Sequence, residues 1–141
     1  MADDGRLLAL LDTEAVRVQI VRFARYLDER RWDDYSALFT DDGILELPFG
    51  RWEGPAAILA HVKADFAHYT ATQHINSNYD IELRGETASA RATFVATHVT
   101  TSDGTALWRG GGAYHLELRQ IDGVWRIKRL TIEPAWRYEK S

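Results

Sequence analysis

Near Thr72 the hydrophobic period of the chain changes from helical to alternating, and this switch limits the fold more than any other feature. Before it, Val16, Ile20, Phe23, Ala24 and Leu27 recur at the spacing of one helix face. The pattern predicts a helix from Thr13 to Glu29, with Asp12 or Thr13 at its start. A short second helix runs from Trp32 to Phe39 and carries Tyr35 and Leu38. Asp41-Asp42-Gly43 reads as a turn, Ile44 to Leu47 as a short strand stopped by Pro48, and Gly50 to Gly54 as a loop. Pro55 suits the first position of a third helix reaching Ala67, with Ile58, Leu59, Val62 and Phe66 on its buried side.

After the switch, Gln73 to Asn76 reads as a strand edge or a loop, and Tyr79 to Arg84 and Thr87 to Thr100 as strands around Gly85-Glu86. Ser102-Asp103-Gly104 and Asp122-Gly123 are hairpin turns. Between them lies a long strand, Thr105 to Gln120, interrupted by Gly110-Gly111-Gly112, and Val124 to Ile132 is the last strand. The glycine run fits a bend or bulge, or else a close approach by a ligand. It is no phosphate loop, because no strand-to-helix junction or Lys-Ser/Thr follows it. Helices first and long hairpins after describe an α+β domain with helices on one face of a strongly curved antiparallel sheet.

Length, charge and cysteine content narrow the function. At 141 residues the chain fits one domain, 1–141, with a core from about residue 10 to 136. The net charge of -4 is spread without blocks, and without a basic stripe nucleic acid is not an expected partner. No apolar run approaches the roughly 20 residues of a membrane span. The start has no signal-peptide pattern, so a cytoplasmic location is expected. The absence of Cys excludes disulfides, thiolate metal sites and Cys nucleophiles. No His/Asp/Glu cluster has convincing metal spacing: His61 and Asp65 are one helical turn apart, and a third ligand is missing.

Several local motifs occur in a telling order: Tyr26-Leu27-Asp28-Glu29-Arg30-Arg31-Trp32-Asp33, Leu38-Phe39-Thr40-Asp41-Asp42-Gly43, Trp52-Glu53-Gly54-Pro55, Gln73-His74-Ile75-Asn76-Ser77-Asn78 and Asp122-Gly123-Val124-Trp125-Arg126-Ile127. Together they resemble the SnoaL-like branch of the nuclear transport factor 2 superfamily. The resemblance implies a cone-shaped fold with three N-terminal helices packed on the sheet. It also implies a small-molecule pocket and homo-oligomers, a dimer or trimer. Members include dehydratases, isomerases, cyclases, a dehydrochlorinase, epoxide hydrolases and non-catalytic subunits, so the reaction must be argued from the site.

By resemblance to scytalone dehydratase and hexachlorocyclohexane dehydrochlorinase, Asp28 and His74 match a catalytic pair inside the cone. A neutral imidazole accepts a proton near neutral pH, and a carboxylate on its other nitrogen fixes the tautomer. Asp28 also lies one turn beyond Ala24, on the flank of the apolar face. The competing reading makes it a solvated residue paired with Arg31 or Lys63. His98 shares a strand face with Ala92, Phe94 and Ala96 by alternation. It is either part of a pocket wall, as the second histidine of scytalone dehydratase is, or a polar residue satisfied near a strand end. Trp108, Gly110, Gly112, Tyr114 and Leu116 would line the next strand's same face, and the Tyr114 hydroxyl could meet a substrate oxygen. Phe23, Leu27, Leu47, Phe66, Phe94, Trp108 and Tyr114 are the expected substrate-binding residues.

The remaining candidates are blander. His61 and His68 read as solvated surface residues, His115 as facing away from Tyr114, and Tyr26, about 200° around the helix from Asp28, as packing or interface. Trp136-Arg137-Tyr138 would cap the cone mouth or join a dimer. Set against scytalone dehydratase, its pocket Ser and Asn fall at Gly112 and Tyr114, and its two water-holding tyrosines at Leu27 and Leu47. The first-helix lysine of the dehydrochlorinase falls near Phe23, and the base of ketosteroid isomerase at Leu47. The reading that follows is a cofactor-independent lyase, dehydratase-like, acting on a small apolar or aromatic substrate. His74 is its base, Asp28 orients His74, and His98 or Tyr114 steadies the leaving group. An isomerase or cyclase using the same pocket, a ligand-binding domain and a dioxygenase small subunit are the alternatives.

Overall fold

The computed structural model describes the backbone of residues 2–141 and the side chains from residue 4 onward. Its elements are α1 (Ala2–Asp28), α2 (Trp32–Ala37), β1 (Phe39–Leu47), β2 (Gly50–Glu53), α3 (Pro55–Phe66), β3 (Ala71–Arg84), β4 (Thr87–Val99), β5 (Leu107–Ile121) and β6 (Val124–Lys140). The strands form one curved sheet in the order β2-β1-β6-β5-β4-β3. The sheet is mixed, because β1 runs parallel to β6 while every other neighbouring pair is antiparallel.

The second half of α1 follows the expected pattern. Val16, Ile20, Phe23, Ala24 and Leu27 are buried on one face. Two side chains tie this helix to the sheet: Gln19 Nε2 donates to the Trp125 carbonyl at 2.6 Å and Asn76 Nδ2 to the Ile20 carbonyl at 3.0 Å. The helix starts about three turns before the expected Thr13. Thr13 is an interior residue whose hydroxyl donates to the Ala9 carbonyl at 2.8 Å, and Asp12 accepts from the Trp125 indole at 3.2 Å. The early turns carry Leu7, Leu8, Leu10 and Leu11 in exposed positions, so no buried face announced them.

The expected turn at Asp41–Gly43 is instead an irregular part of β1, where the register against β6 shifts between Phe39 and Ile44. Gly50–Glu53, expected as loop, pairs with β1 as an edge strand. β3 is continuous from Ala71 through the stretch expected as edge or loop, with a bulge between Ser77 and Asp80 and Asn78 at φ 55. β6 continues past Ile132, so the Trp136-Arg137-Tyr138 tail is strand.

The glycine run takes the bend. Gly111 pairs with Trp136 and Gly112 with Pro134, which leaves Ala135 as an extra residue in β6. A Cβ on Gly112 would collide with the Glu133 carbonyl, and one on Gly111 with the Trp136 indole. Glycine is required there because β6 itself approaches so closely. Helices α1, α2 and α3 and the sheet bury a common apolar core that includes Tyr35, Ile58, Leu116, Ile127 and Leu130.

Candidate active site

An apolar cavity of about 260 Å³ opens between α1, α3 and the curved sheet. Phe23 and Leu27 reach it from α1, Leu47 from β1 and Phe66 from α3. The sheet contributes His74 from β3, Phe94 and His98 from β4, and Trp108 and Tyr114 from β5. The register explains the last four: His98 sits opposite Trp108, Phe94 opposite Gly112, and Ala92 opposite Tyr114. Phe94 and Tyr114 stack at 4.4 Å between ring centres, and His98 stacks on Trp108 at 3.7 Å.

Asp28 does not line the cavity but stands behind His74. Its Oδ1 lies 2.7 Å from His74 Nδ1, and its Oδ2 accepts from the His74 backbone amide at 2.7 Å. The Thr72 hydroxyl donates to Oδ1 at 3.0 Å. Arg31, offered as an alternative partner, pairs with Asp34 at 2.9 Å instead. Burial pulls the Asp28 carboxyl upward. The bonds from the His74 ring and amide outweigh it, with help from Thr72, and hold the group below the usual carboxylate value.

The end of α1 builds the support for this carboxylate. Arg30 takes the left-handed turn at φ 57, with Arg31 N donating to the Tyr26 carbonyl at 2.9 Å and Arg30 N to the Leu27 carbonyl at 3.1 Å. This is the helix-ending loop in which glycine is usual, and a larger residue costs about 1 kcal/mol there. The turn folds the Arg30 guanidinium back, so that Nη1 donates to the Leu27 carbonyl and to Thr72 Oγ1, each at 2.8 Å. With Arg30 occupying an acceptor site of that oxygen, the Thr72 proton is directed to Asp28. Arg30 and Thr72 were not among the sequence candidates. The only signals for them were a non-glycine residue at a helix end and a Thr two positions before His74.

His98 is buried at 5 % exposure, and its Nδ1 has no hydrogen-bond partner. Its ring centre is 5.2 Å from that of His74. Burial first, and the charge of His74 second, lower its pKa from 6.5 to about 3, so it is neutral at physiological pH. Tyr114 is buried, and burial together with the Asp28 charge raises its phenol above the usual value. Phe66 lies nearly parallel to His74 at 5.8 Å, with the Arg30 guanidinium carbon 5.0 Å from the same ring.

His61 departs from its expected place on the solvated surface. It is half-buried, stacks on Trp52 at 3.6 Å and lines the cavity. The helical spacing put it next to Val62, and only the β2 strand that carries Trp52 turned that flank inward. His68 is exposed, and His115 faces the other side of the sheet, 3.2 Å from Glu133. Tyr26 packs beneath the Arg31 guanidinium at 4.5 Å. Of the tail, Trp136 and Arg137 line the cavity, the Arg137 guanidinium lying 4.2 Å from the Trp108 ring centre. No group of three or more His, Asp or Glu placed to hold a metal occurs among the described residues, and no described helix is long and apolar enough to cross a membrane.

Leading helices packed on a curved sheet around an apolar cavity define the cone of the nuclear transport factor 2 superfamily. The sequence profile of the SnoaL-like domain matches residues 8–131, and the chain belongs to that family. No curated protein sequence matches significantly. Among solved structures, a candidate scytalone dehydratase from Novosphingobium aromaticivorans superposes with a TM-score of 0.86 at 22% identity, over 100% of this chain and 93% of that one. A type 2 hexachlorocyclohexane dehydrochlorinase gives a TM-score of 0.88 at 17% identity, over 96% and 93%. A candidate aromatic ring hydroxylase, also from N. aromaticivorans, gives 0.85 at 23% identity, over 93% and 94%. At these identities the likeness is one of fold.

Proposed function

We propose that the chain is a cofactor-independent lyase that eliminates water, or a comparable leaving group, from a small apolar or aromatic substrate. The observation that carries this reading is the Asp28–His74 pair at the wall of an apolar cavity, with Oδ1 and Nδ1 2.7 Å apart. With Nδ1 donating to Asp28, the lone pair of the ring is on Nε2. Nε2 takes a proton from a substrate carbon, and the C–H bonding pair becomes the new double bond. The leaving group departs with its own bonding pair, and hydroxide picks up a proton to leave as water. Asp28 holds the ring and stabilises the imidazolium. His98 and Tyr114 offer N–H and O–H donors to the leaving group or to a developing oxyanion. Isomerisation and cyclisation would draw on the same base. The lyase neighbours support elimination in particular.

The first assay offers scytalone and hexachlorocyclohexane, the compounds in the names of those neighbours, and follows loss of water or chloride. Turnover is expected to vanish in His74→Ala. Nitrogen NMR provides a check without substrate. It should find His74 protonated at Nδ1 and bare at Nε2, and the opposite tautomer would remove the base from the scheme. Assembly as a dimer or trimer belongs to the same proposal. The exposed Leu7, Leu8, Leu10 and Leu11 support it as an apolar patch, and light scattering at tens of micromolar tests it.

A further inference from the structure

A departing hydroxide needs a proton, and the groups deep in the cavity are poor sources of one. Burial lowers the His98 pKa to about 3 and raises the Tyr114 phenol, so each can donate a hydrogen bond but holds its proton or has none to give. Among the described residues, the buried side-chain polar atoms without a partner are His98 Nδ1 and Tyr35 Oη. His61, on α3, also bonds to no described residue through either ring nitrogen, yet neither nitrogen is sealed from water or ligand. Its half-buried ring lines the cavity. Phe49, 75% exposed, lines it too and lies 6.4 Å from the His61 ring, so His61 stands where the cavity meets solvent.

Trp52 lies against His61 at 3.6 Å and 13°. An indole face attracts a cation, so this stack holds the ring whether or not it carries a proton. Asp65, one turn further along α3, and Arg137, from β6, are the remaining charged groups of the wall and have opposite signs. The only hydrogen-bond partner of the Asp65 carboxylate is the Tyr69 hydroxyl at 3.4 Å. His61 and Phe66 are five residues apart, about 7.5 Å along the helix axis. Phe66 in turn stacks 5.8 Å from the His74 ring, so the two histidines meet the cavity at separate points of the α3 wall. In an anti elimination, base and acid flank the reacting bond from opposite sides, roughly 8 Å apart when both are within hydrogen-bond reach. His98, its ring centre 5.2 Å from that of His74, stands on the side of the base.

We propose that His61, stacked on Trp52 at the mouth of the cavity, is the general acid that protonates the departing oxygen of an alcohol substrate. This deepens the lyase reading and rests on it for the reaction. His74 Nε2 takes the C–H proton, and the C–H pair becomes the double bond. The C–O bond breaks with its pair on oxygen, which takes a proton from the His61 imidazolium and leaves as water. His74 ends charged and His61 neutral. Proton exchange with solvent, open to His61 at the mouth, resets the pair.

Leaving-group chemistry tests the role, because chloride departs without a proton and hydroxide does not. His61→Phe keeps an aromatic face for Trp52 and removes the acid. It should lower turnover of scytalone, which loses water, by about a hundredfold, the low end for a positioned acid. The loss for hexachlorocyclohexane, which loses chloride, should be at least tenfold smaller. Equal losses for both compounds, or no loss for scytalone, overturn the proposal and leave the lyase reading standing. A second arm needs no turnover. 1-Indanol and indane share a frame and differ by one hydroxyl, and nitrogen NMR of the wild type follows the histidine rings as each binds. Indanol should shift a His61 ring nitrogen and indane should not, the signal being assigned by its loss in His61→Phe, or in His61→Gln if the first variant does not fold. A bound indanol that leaves His61 unshifted, or that shifts His98 in its place, overturns the proposal, as does no binding of either compound at millimolar concentration. If the wild type turns over neither scytalone nor hexachlorocyclohexane, this second arm decides the place of the oxygen by itself.

Discussion

His74 and His98 line one cavity with ring centres 5.2 Å apart, yet the protein surrounds them in opposite ways. His74 has a carboxylate on Nδ1, and that carboxylate has further donors from the His74 amide, Thr72 and, through Thr72, Arg30. His98 has an aromatic face against Trp108, an unpartnered Nδ1 and a pKa pressed down to about 3. Burial without a partner favours the uncharged form, which keeps the His98 ring neutral. Side chains of one kind are thereby placed in opposite settings, one hydrogen-bonded to a carboxylate and one with an unpartnered nitrogen.

The sharpest way to break this contrast is to remove the carboxylate. Asp28→Asn and His74→Ala are each expected to lower kcat by about 10²- to 10⁴-fold, the usual contribution of a positioned base. An amide can hold the ring but cannot stabilise its cation. A loss in Asp28→Asn with an unchanged melting temperature would assign the effect to charge. Full wild-type turnover in His74→Ala would end the mechanism.

The second test uses pH. The folded pKa of His98, about 3, lies below its ordinary 6.5. The stability it contributes is therefore fully present above 6.5 and is lost as pH falls from 6.5 toward 3. Asp28, also lowered, gives way only as pH falls below its ordinary 3.8. The melting temperature of the wild type should decline between pH 6.5 and 4, and His98→Gln should flatten that decline. A variant with the same slope as the wild type would show that His98 is not the group being protonated.

Smaller effects should come from the support of Asp28. Thr72→Val deletes one donor to the carboxylate while keeping the shape, and about a tenfold fall in kcat is expected. Thr72→Ser should restore most of it, and a wild-type rate in Thr72→Val would reduce the hydroxyl to packing. Arg30→Gly should show the least. It relieves a left-handed residue but frees the Thr72 hydroxyl to rotate, so a rate lower by a few-fold at an equal or higher melting temperature is expected. A marked loss of stability would mean that the bond from Arg30 to the Leu27 carbonyl matters more than the turn.

Much of the frame was legible in the chain. The buried stripe of α1 from Val16 to Leu27 was, and so was the Asp122-Gly123 turn, where both residues have positive φ, 51 and 78, as a two-residue hairpin demands. The errors lie where a segment has no buried face of its own or where alternation breaks. Glu133 to Lys140 is exposed throughout and is a strand only because β5 supplies its ladder. Asn78 interrupts the alternation of β3 and hid the continuity from Ala71 to Tyr79. Pairing across the sheet, not local preference, sets these boundaries.

By itself the sequence determined that helices come first and long hairpins after, the helix face that faces inward and the presence of residue types able to share a proton. The meeting of Asp28 with His74 depended on tertiary structure, because their 46-residue separation is closed only by packing α1 against β3. So did the inward turn of His61, the donor chain from Arg30 through Thr72 and the unpaired hydroxyl of Tyr35. Periodicity reports which side of an element is apolar. Hydrogen bonding and desolvation depend on which distant atoms come within about 3 Å, and that distance exists only after the sheet has curved and the helices have closed over it.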